Sequence, residues 1–547
     1  MTAASLLGLA ATQAQAQQAP DAGRTLQQLQ PTLAAPRESR AITIQAPANQ
    51  QATLPGGVQA SVKSVVLSGN TVLSDELLGT ALREAMGQSL DLAGLRQLAD
   101  RVTTLYRERG YPFARAILPP QTMADGVLRI EVIEGRYGRV LANSADAALA
   151  AQAQVFLDQL RPGDVIASAL LERVSLLLDD QPGIKTAPLL RPGSEVGGGD
   201  LVVDVSRTAR VSGDVGLDNH GNRYSGAARV RANASINSPF MLGDQFQLSA
   251  LLSDEKLWLG SVAYNRPLGG TGWRGNLGYS QTSYNLGREF ASAQSNGTAK
   301  VSTLGLSYPL LRSQKTNLTL SATATHKQLN DNTDSTATRN SKHSDSLPLT
   351  LQFDRRDELA GGGINYGSLS WTPGRLALDD ALSTIDSNSG NHSQGRFNKL
   401  NLELFRMQSL AGNFSLYGHL SAQWTDKNLD SSEGFGLGGA GAVRAYPSGE
   451  GSGDTGWLTQ LELRYAAGAY SPYVFFDQGS VKTDAKPTPI TVNNQRDLSG
   501  AGVGLRYQQA GWTLDAALAW RTQGGPSRAD TSGDPKPRVW VSLGYRF

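Results

Sequence analysis

Trp512-Thr513-Leu514-Asp515-Ala516-Ala517-Leu518-Ala519-Trp520 puts Trp512, Leu514, Ala516, Leu518 and Trp520 on every second position, against Thr513, Asp515 and Ala517. Successive side chains of a strand point to opposite faces. The segment therefore reads as one strand with an apolar face, a small or polar face, and a tryptophan at each end. The same pattern recurs nearby. Phe414, Leu416, Leu420, Ala422 and Trp424 alternate with Ser415, Tyr417, His419, Ser421 and Gln423. Trp457, Leu461, Leu463 and Tyr465 alternate with Gln460, Glu462 and Arg464. The last residues set Val539, Val541, Leu543, Tyr545 and Phe547 against Trp540, Ser542, Gly544 and Arg546.

Period two with aromatics near the segment ends is the pattern of a transmembrane β-barrel, whose outer face meets hydrocarbon and whose lumen is wet. A soluble β-sandwich is the alternative; it alternates too, but gives less reason for terminal aromatics. Residues 208–547 repeat the pattern throughout, with much Gly, Ser, Asn and Thr. At about 9–11 residues per tilted strand they hold roughly 14–18 strands, and an even number near 16 is expected. A polar lumen also accounts for the mean hydropathy of -0.29. Past the first residues no stretch has the ~20 apolar residues of a membrane helix, and open sheet edges cannot sit in lipid, so a spanning chain must close a barrel. With 50 Lys+Arg against 48 Asp+Glu the formal charge is only +2, and no basic stripe points to nucleic acid. The chain has no cysteine, which excludes disulfides and thiolate metal sites.

Residues 1–19 open with an apolar run over 3–11, followed by Gln13-Ala14-Gln15-Ala16-Gln17. That is the pattern of a secretory signal peptide, here without its basic start and so read as truncated; an Ala/Gln tail is the alternative. Residues 20–60 are Gln-, Pro- and Ala-rich, a linker with one short helix over 21–30 bounded by Pro31 and Pro36. Residues 61–207 read as two copies of one α+β unit, β-α-α-β-β, over 61–135 and 136–207. In the first copy the strand covers 62–67. Ser74 starts a helix, and Asp91 caps a second one with Leu95, Leu98, Val102, Leu105 and Tyr106 on one face. Gly110 ends that helix, and Asp125-Gly126 signals a hairpin. In the second copy, residues 147–160 and 168–179 are helices, the latter presenting Leu170, Val174, Leu177 and Leu178.

Five stretches carry a family resemblance. They are Tyr106-Arg-Glu-Arg-Gly-Tyr-Pro, Leu118-Pro-Pro-Gln121 with Gly126-Val-Leu-Arg-Ile-Glu-Val-Ile-Glu-Gly135, Leu217-Asp-Asn-His-Gly221, Gly438-Gly-Ala-Gly-Ala-Val443-Arg444-Ala445-Tyr446, and Phe475-Phe-Asp477-Gln-Gly479. Over about residues 61–547 the chain resembles the two-partner secretion transporters (TpsB, or hemolysin-activator-type proteins), of the superfamily that includes the barrel-assembly factor BamA. The resemblance implies that the two units are polypeptide-transport-associated (POTRA) domains in the periplasm, and that the barrel lies in the Gram-negative outer membrane. It implies an inward-folding loop with Val443, Arg444, Ala445 and Tyr446 at its tip, where the family usually has Gly in place of Ala445. It implies a barrel-strand motif of Phe475, Asp477 and Gly479, whose carboxylate pairs with Arg444. Phe547 is expected to serve as an assembly signal, and the 21–30 helix to occupy the pore at rest.

The function expected is export of a secreted partner exoprotein, a large β-helical adhesin, hemolysin or toxin, through the barrel. Other expected partners are outer-membrane lipid, periplasmic chaperones and the barrel-assembly machinery. No cofactor, metal or catalytic residue is expected. The five histidines lack metal-ligand spacing. Gly436-Leu-Gly438-Gly-Ala-Gly441 matches a dinucleotide fingerprint but has no βαβ unit around it. The alternatives are an insertase of the BamA type, an outer-membrane enzyme, which would need a nucleophile, base and orienting group converging on one site, and a passive porin, which leaves the N-terminal units without a role.

Overall fold

A computed structural model describes residues 20–30, 33–36, 56–489, 491–530 and 532–547. The leader read over residues 1–19 lies outside the described residues, as does most of the linker.

Sixteen antiparallel strands close a barrel from Val211–Asp218 to Arg538–Arg546. One of them is broken into two collinear pieces, Thr338–Ser346 and Leu349–Asp357, each paired with Thr316–Thr333 and with Gly363–Leu378. Pro348 sits at the break, where a residue without N–H cannot continue the ladder. Trp512, Leu518 and Trp520 face outward and are exposed, while Ala517 and Ala519 face inward and are buried. Phe414 lies opposite Tyr465, and Trp512 opposite Tyr545, on one rim. Trp371, Trp424, Trp457 and Trp520 are exposed toward the other. These are the two aromatic girdles of a spanning barrel.

The two N-terminal units share one topology. In the first, Val127–Ile133 is the middle strand, parallel to Ser64–Ser68 and antiparallel to Arg115–Ile117. In the second, Gly198–Arg207 lies between Arg136–Asn143, parallel, and Ile184–Pro192, antiparallel. Each has its own core, closed by Leu92–Glu108 in the first and by Ala147–Leu157 and Ser168–Asp179 in the second. Two expectations need correction. Leu171, not Leu170, faces the core with Val174, Leu177 and Leu178; Leu170 is exposed. Asp125 and Gly126 do turn the chain, both at positive φ, but not as a tight hairpin. Pairing runs instead from Arg115↔Ile133 to Ile117↔Glu131. Pro119 and Pro120 cannot extend that ladder. The Gln121 amide takes over, accepting from Arg129 N at 2.8 Å and donating to its carbonyl at 2.7 Å.

Glu134 joins the first unit to the second. Its carboxylate accepts from the Thr71 hydroxyl, Val72 N (2.8 Å) and the Tyr106 hydroxyl (3.0 Å), and pairs with Arg136 (3.0 Å). Burial alone would raise its pKa; the hydrogen bonds outweigh burial and hold it below the usual carboxylate value of 4.5. Burial pushes the Tyr106 phenol up. A carboxylate with a depressed folded pKa stabilises fully above its unfolded value and loses that stabilisation as pH falls through the folded pKa. Glu134→Gln should therefore destabilise the first unit by about 1–3 kcal/mol at neutral pH, and the gap from wild type should close in acid. Hydrogen exchange at Thr71 and Val72 as a function of urea reads this; a gap that widens in acid would contradict it.

The second unit is tied to the first turns at the near end of the barrel. Leu242 enters its core, and Leu242 N donates to Gln152 (2.6 Å). Arg274 donates to Gln181 (2.7 Å), Arg173 to the Pro309 carbonyl (2.8 Å), and Arg312 pairs with Asp180 (2.6 Å).

Candidate functional site: the pinned lumen loop and the N-terminal helix

Between Phe414–Thr425 and Thr455–Tyr465 the chain turns into the barrel. A two-residue ribbon, Phe435–Gly436 against Ser452–Gly453, narrows the loop, and Val443 N donates to the Leu437 carbonyl at 2.9 Å. The tip packs on the last strands. Val443 and Tyr446 are fully buried with Leu437, Leu458, Phe475, Leu498 and Trp540.

Arg444 is 5 % exposed and Asp477 fully buried. Arg444 Nε donates to Asp477 Oδ2 at 2.8 Å and Nη2 to Oδ1 at 2.6 Å, a bidentate fork. The Arg444 backbone N donates to the same carboxylate at 3.0 Å. Nη1 reaches Glu462 Oε1 at 2.6 Å. The guanidinium lies 3.6 Å from the Phe475 ring centroid, and Trp540 Nε1 donates to the Arg444 carbonyl at 2.7 Å. Glu462 also accepts from Arg506 and Arg464, at 2.9 and 2.8 Å. Glu462 lies on the polar face of its strand pattern, where alternation alone does not distinguish it from Gln460 and Arg464. Trp540 was legible in another way, as an aromatic on the wet face of an otherwise small and polar row.

Two glycines of the wall accommodate the loop. A Cβ on Gly479 would stand 2.3 Å from Leu437 Cδ1, and one on Gly500 would stand 2.4 Å from Ala445 Cβ. Ala445 has no positive φ, so its methyl carries no left-handed strain. Gly500→Val should push the tip off the wall and raise protease sensitivity near Ala445, while the barrel keeps its heat-modifiable migration in gels; unchanged cleavage would show the tip seated without that glycine. Phe547 lies at the barrel seam, away from the loop: its N donates to the Gly213 carbonyl at 3.0 Å, and Gly213 N to its carbonyl at 3.1 Å.

The N-terminal helix, Ala22–Gln28, lies inside the same lumen, capped by Asp21, which accepts from Arg24 N at 2.8 Å. Asp21 also accepts from the Ser431 hydroxyl (2.7 Å) and stands 3.7 Å from Lys342. Ala22 N donates to Asp331 at 2.8 Å. Lys342 pairs with Asp430 at 2.7 Å, and Glu433 with Lys327 and Lys399 at 2.6 and 2.7 Å. Gly23 presses on Ser431 and Ser432 so closely that a side chain would clash. Helix and loop share the lumen with a cavity of about 850 Å³ lined by Arg24, Gln27, Arg229, Arg231 and Glu403.

Residues 197–507, more than half of the chain, match the model of the haemolysin secretion/activation protein ShlB/FhaC/HecB family, and residues 60–135 match the ShlB-type POTRA domain. The heme/hemopexin transporter protein HuxB of Haemophilus influenzae (strain 86-028NP) is 27% identical over 482 residues, covering 86% of this chain and 84% of its own. The structure of CdiB from Escherichia coli superposes with a TM-score of 0.74 at 21% identity, covering 93% of this chain and 94% of the other. BamA from Haemophilus ducreyi lacking POTRA domains 1-3 superposes at 0.51 and 13% identity, covering 89% and 100%. The chain belongs to the ShlB/FhaC/HecB family of haemolysin secretion/activation proteins, outer-membrane transporters of two-partner secretion with periplasmic POTRA domains.

Proposed function

We propose that an unfolded β-helical exoprotein binds in the periplasm by adding a strand to an open edge of the POTRA sheets, and leaves through the barrel once helix and loop make way. The observation that carries this reading is the pairing of an open sheet edge, at Ser64–Ser68, with a lumen stoppered by two segments that enter it separately. Added strands are held by main-chain hydrogen bonds and so accept many sequences. Arg444, Val443, Ala445 and Tyr446 form the anchor of the loop; Asp477, Phe475 and Gly479 form its seat; Phe547 marks the chain for assembly. Periplasmic chaperones keep both chains unfolded beforehand, and the barrel-assembly machinery inserts this one. The protein acts as a conduit and performs no chemical step.

Co-expression with a β-helical exoprotein encoded beside this gene tests the reading: the exoprotein should appear in the medium only with the intact transporter. Retention of the exoprotein, together with failure of unrelated barrels to assemble when this chain is removed, would favour an insertase instead. The resting helix gives a second readout. Asp21→Ala removes the helix cap and its contacts to Ser431 and Lys342, and should raise the open fraction in planar-bilayer recordings several-fold. Unaltered conductance would mean that the helix does not limit the pore.

A further inference from the structure

On the outer wall of the barrel, Ser302, His326, Asp345, Arg375 and Arg396 are successive cross-strand partners on five adjacent strands. They point away from the lumen, because Ser344, Leu376 and Phe397 beside them are buried on the inner face. The next row toward the loops holds Lys300 and His343, both exposed and joined through Gln328. Four residues back along the same strands, toward the periplasm, runs the apolar row Leu349, Trp371, Leu400 and Trp424. Four residues are about 13 Å of strand, or roughly 10 Å of height at the usual barrel tilt. The tryptophans mark the edge of the hydrocarbon, so the charged rows stand at the headgroup level of the outer leaflet.

The charges there do not balance. Asp345 accepts from His326 Nδ1 at 2.6 Å. Arg375 and Arg396 face each other directly across the ladder, both exposed, and among the described residues neither has an ion-pair partner. Like charges directly opposite on a sheet are destabilising. An anion lying between them would relieve the repulsion, and a phosphate fits two guanidinium forks. A surface at this height, turned toward lipid, meets lipid headgroups before anything else.

We propose that this patch binds the phosphate groups of a phosphorylated glycolipid of the outer leaflet, of the lipid A class. One phosphate is held between Arg375 and Arg396, and Lys300 and His343 reach the neighbouring polar groups. The site orients the barrel at the level of its longest strands, independently of the export role.

The test uses the full chain in detergent, titrated with bis-phosphorylated lipid A, the same glycolipid without its phosphates, phosphatidylethanolamine, or inorganic phosphate, with retention read by native mass spectrometry. Bis-phosphorylated lipid A should be retained in preference to the other three. Arg375→Gln with Arg396→Gln should weaken it about thirtyfold, roughly fivefold per arginine. Arg375→Lys with Arg396→Lys, which keeps the charge, should lose far less. Heat-modifiable migration establishes that each variant is folded. The proposal is overturned by equal retention of the phosphate-free glycolipid, by unchanged binding in the Gln variant, or by inorganic phosphate binding as well as the lipid. Lipid-independent self-association that the Gln variant abolishes would instead make the patch a contact between copies, and would equally overturn it.

Discussion

Replacing Arg444 with Ala should cut delivery of a co-expressed exoprotein to the medium by roughly a hundredfold, while the barrel still inserts. Asp477 is fully buried and takes two of its three hydrogen bonds from the Arg444 side chain. Removing one partner of a buried ion pair typically costs about 3–5 kcal/mol, because the other charge is left without compensation; each 1.4 kcal/mol is a factor of about ten in an equilibrium. Glu462 suffers less, since Arg464 and Arg506 still bind it. The loop tip, not the barrel, bears the loss: the ladder of sixteen strands does not pass through Arg444. Secretion measured beside heat-modifiable migration separates the two. Arg444→Ala combined with Asp477→Ala should cost less than the two single changes added, because residues in contact are not independent. Export at the wild-type level by the single variant would rule out a pinned loop as part of the mechanism.

The second large effect is deletion of residues 62–135. It should abolish export and leave an assembled barrel in the membrane. The reason is the separation of cores. The cluster around Leu78, Val102, Tyr106 and Ile130 shares no residue with the cluster around Leu149, Val174 and Leu201; the first unit touches the latter through the half-buried Phe113 and the Gly110 carbonyl, which accepts from Ser168 N at 2.8 Å, while the barrel residue Leu242 is part of it. Losing the first domain therefore removes the Ser64–Ser68 edge and the Glu134 junction but leaves the contacts of Asp180, Arg173 and Gln181 with the barrel. Domains of about 70 residues have small cores, so the remaining one depends on its barrel contacts. Secretion by the deletion variant would show that docking does not need the first domain.

The strand pattern made the barrel legible because alternation is local: each residue's face follows from its neighbours two positions away. Trp512, Leu518 and Trp520 could be assigned to lipid without knowing what lay beside them. The helix face over Ser168–Asp179 was harder. Its run of leucines allows two phases, and Leu171 won over Leu170 only because the sheet beneath lies on that side. The Asp125-Gly126 turn has the local chemistry of a hairpin, but Pro119 and Pro120 denied it a partner strand.

Composition, period and turn chemistry were enough to specify a closed barrel behind two α+β units, since each rests on interactions within a few residues. The surroundings of Arg444 are of another kind. Asp477 and Glu462 lie 33 and 18 residues away, and the carbonyl bond from Trp540 spans 96. The room for Ala445 comes from an absent side chain at Gly500 on another strand. The helix at Ala22 meets Asp331 across 309 residues. Such contacts exist only once the sheet has closed and the loop has nowhere to lie except against the far wall. No spacing along the chain encodes them, so folding in three dimensions had to select those partners.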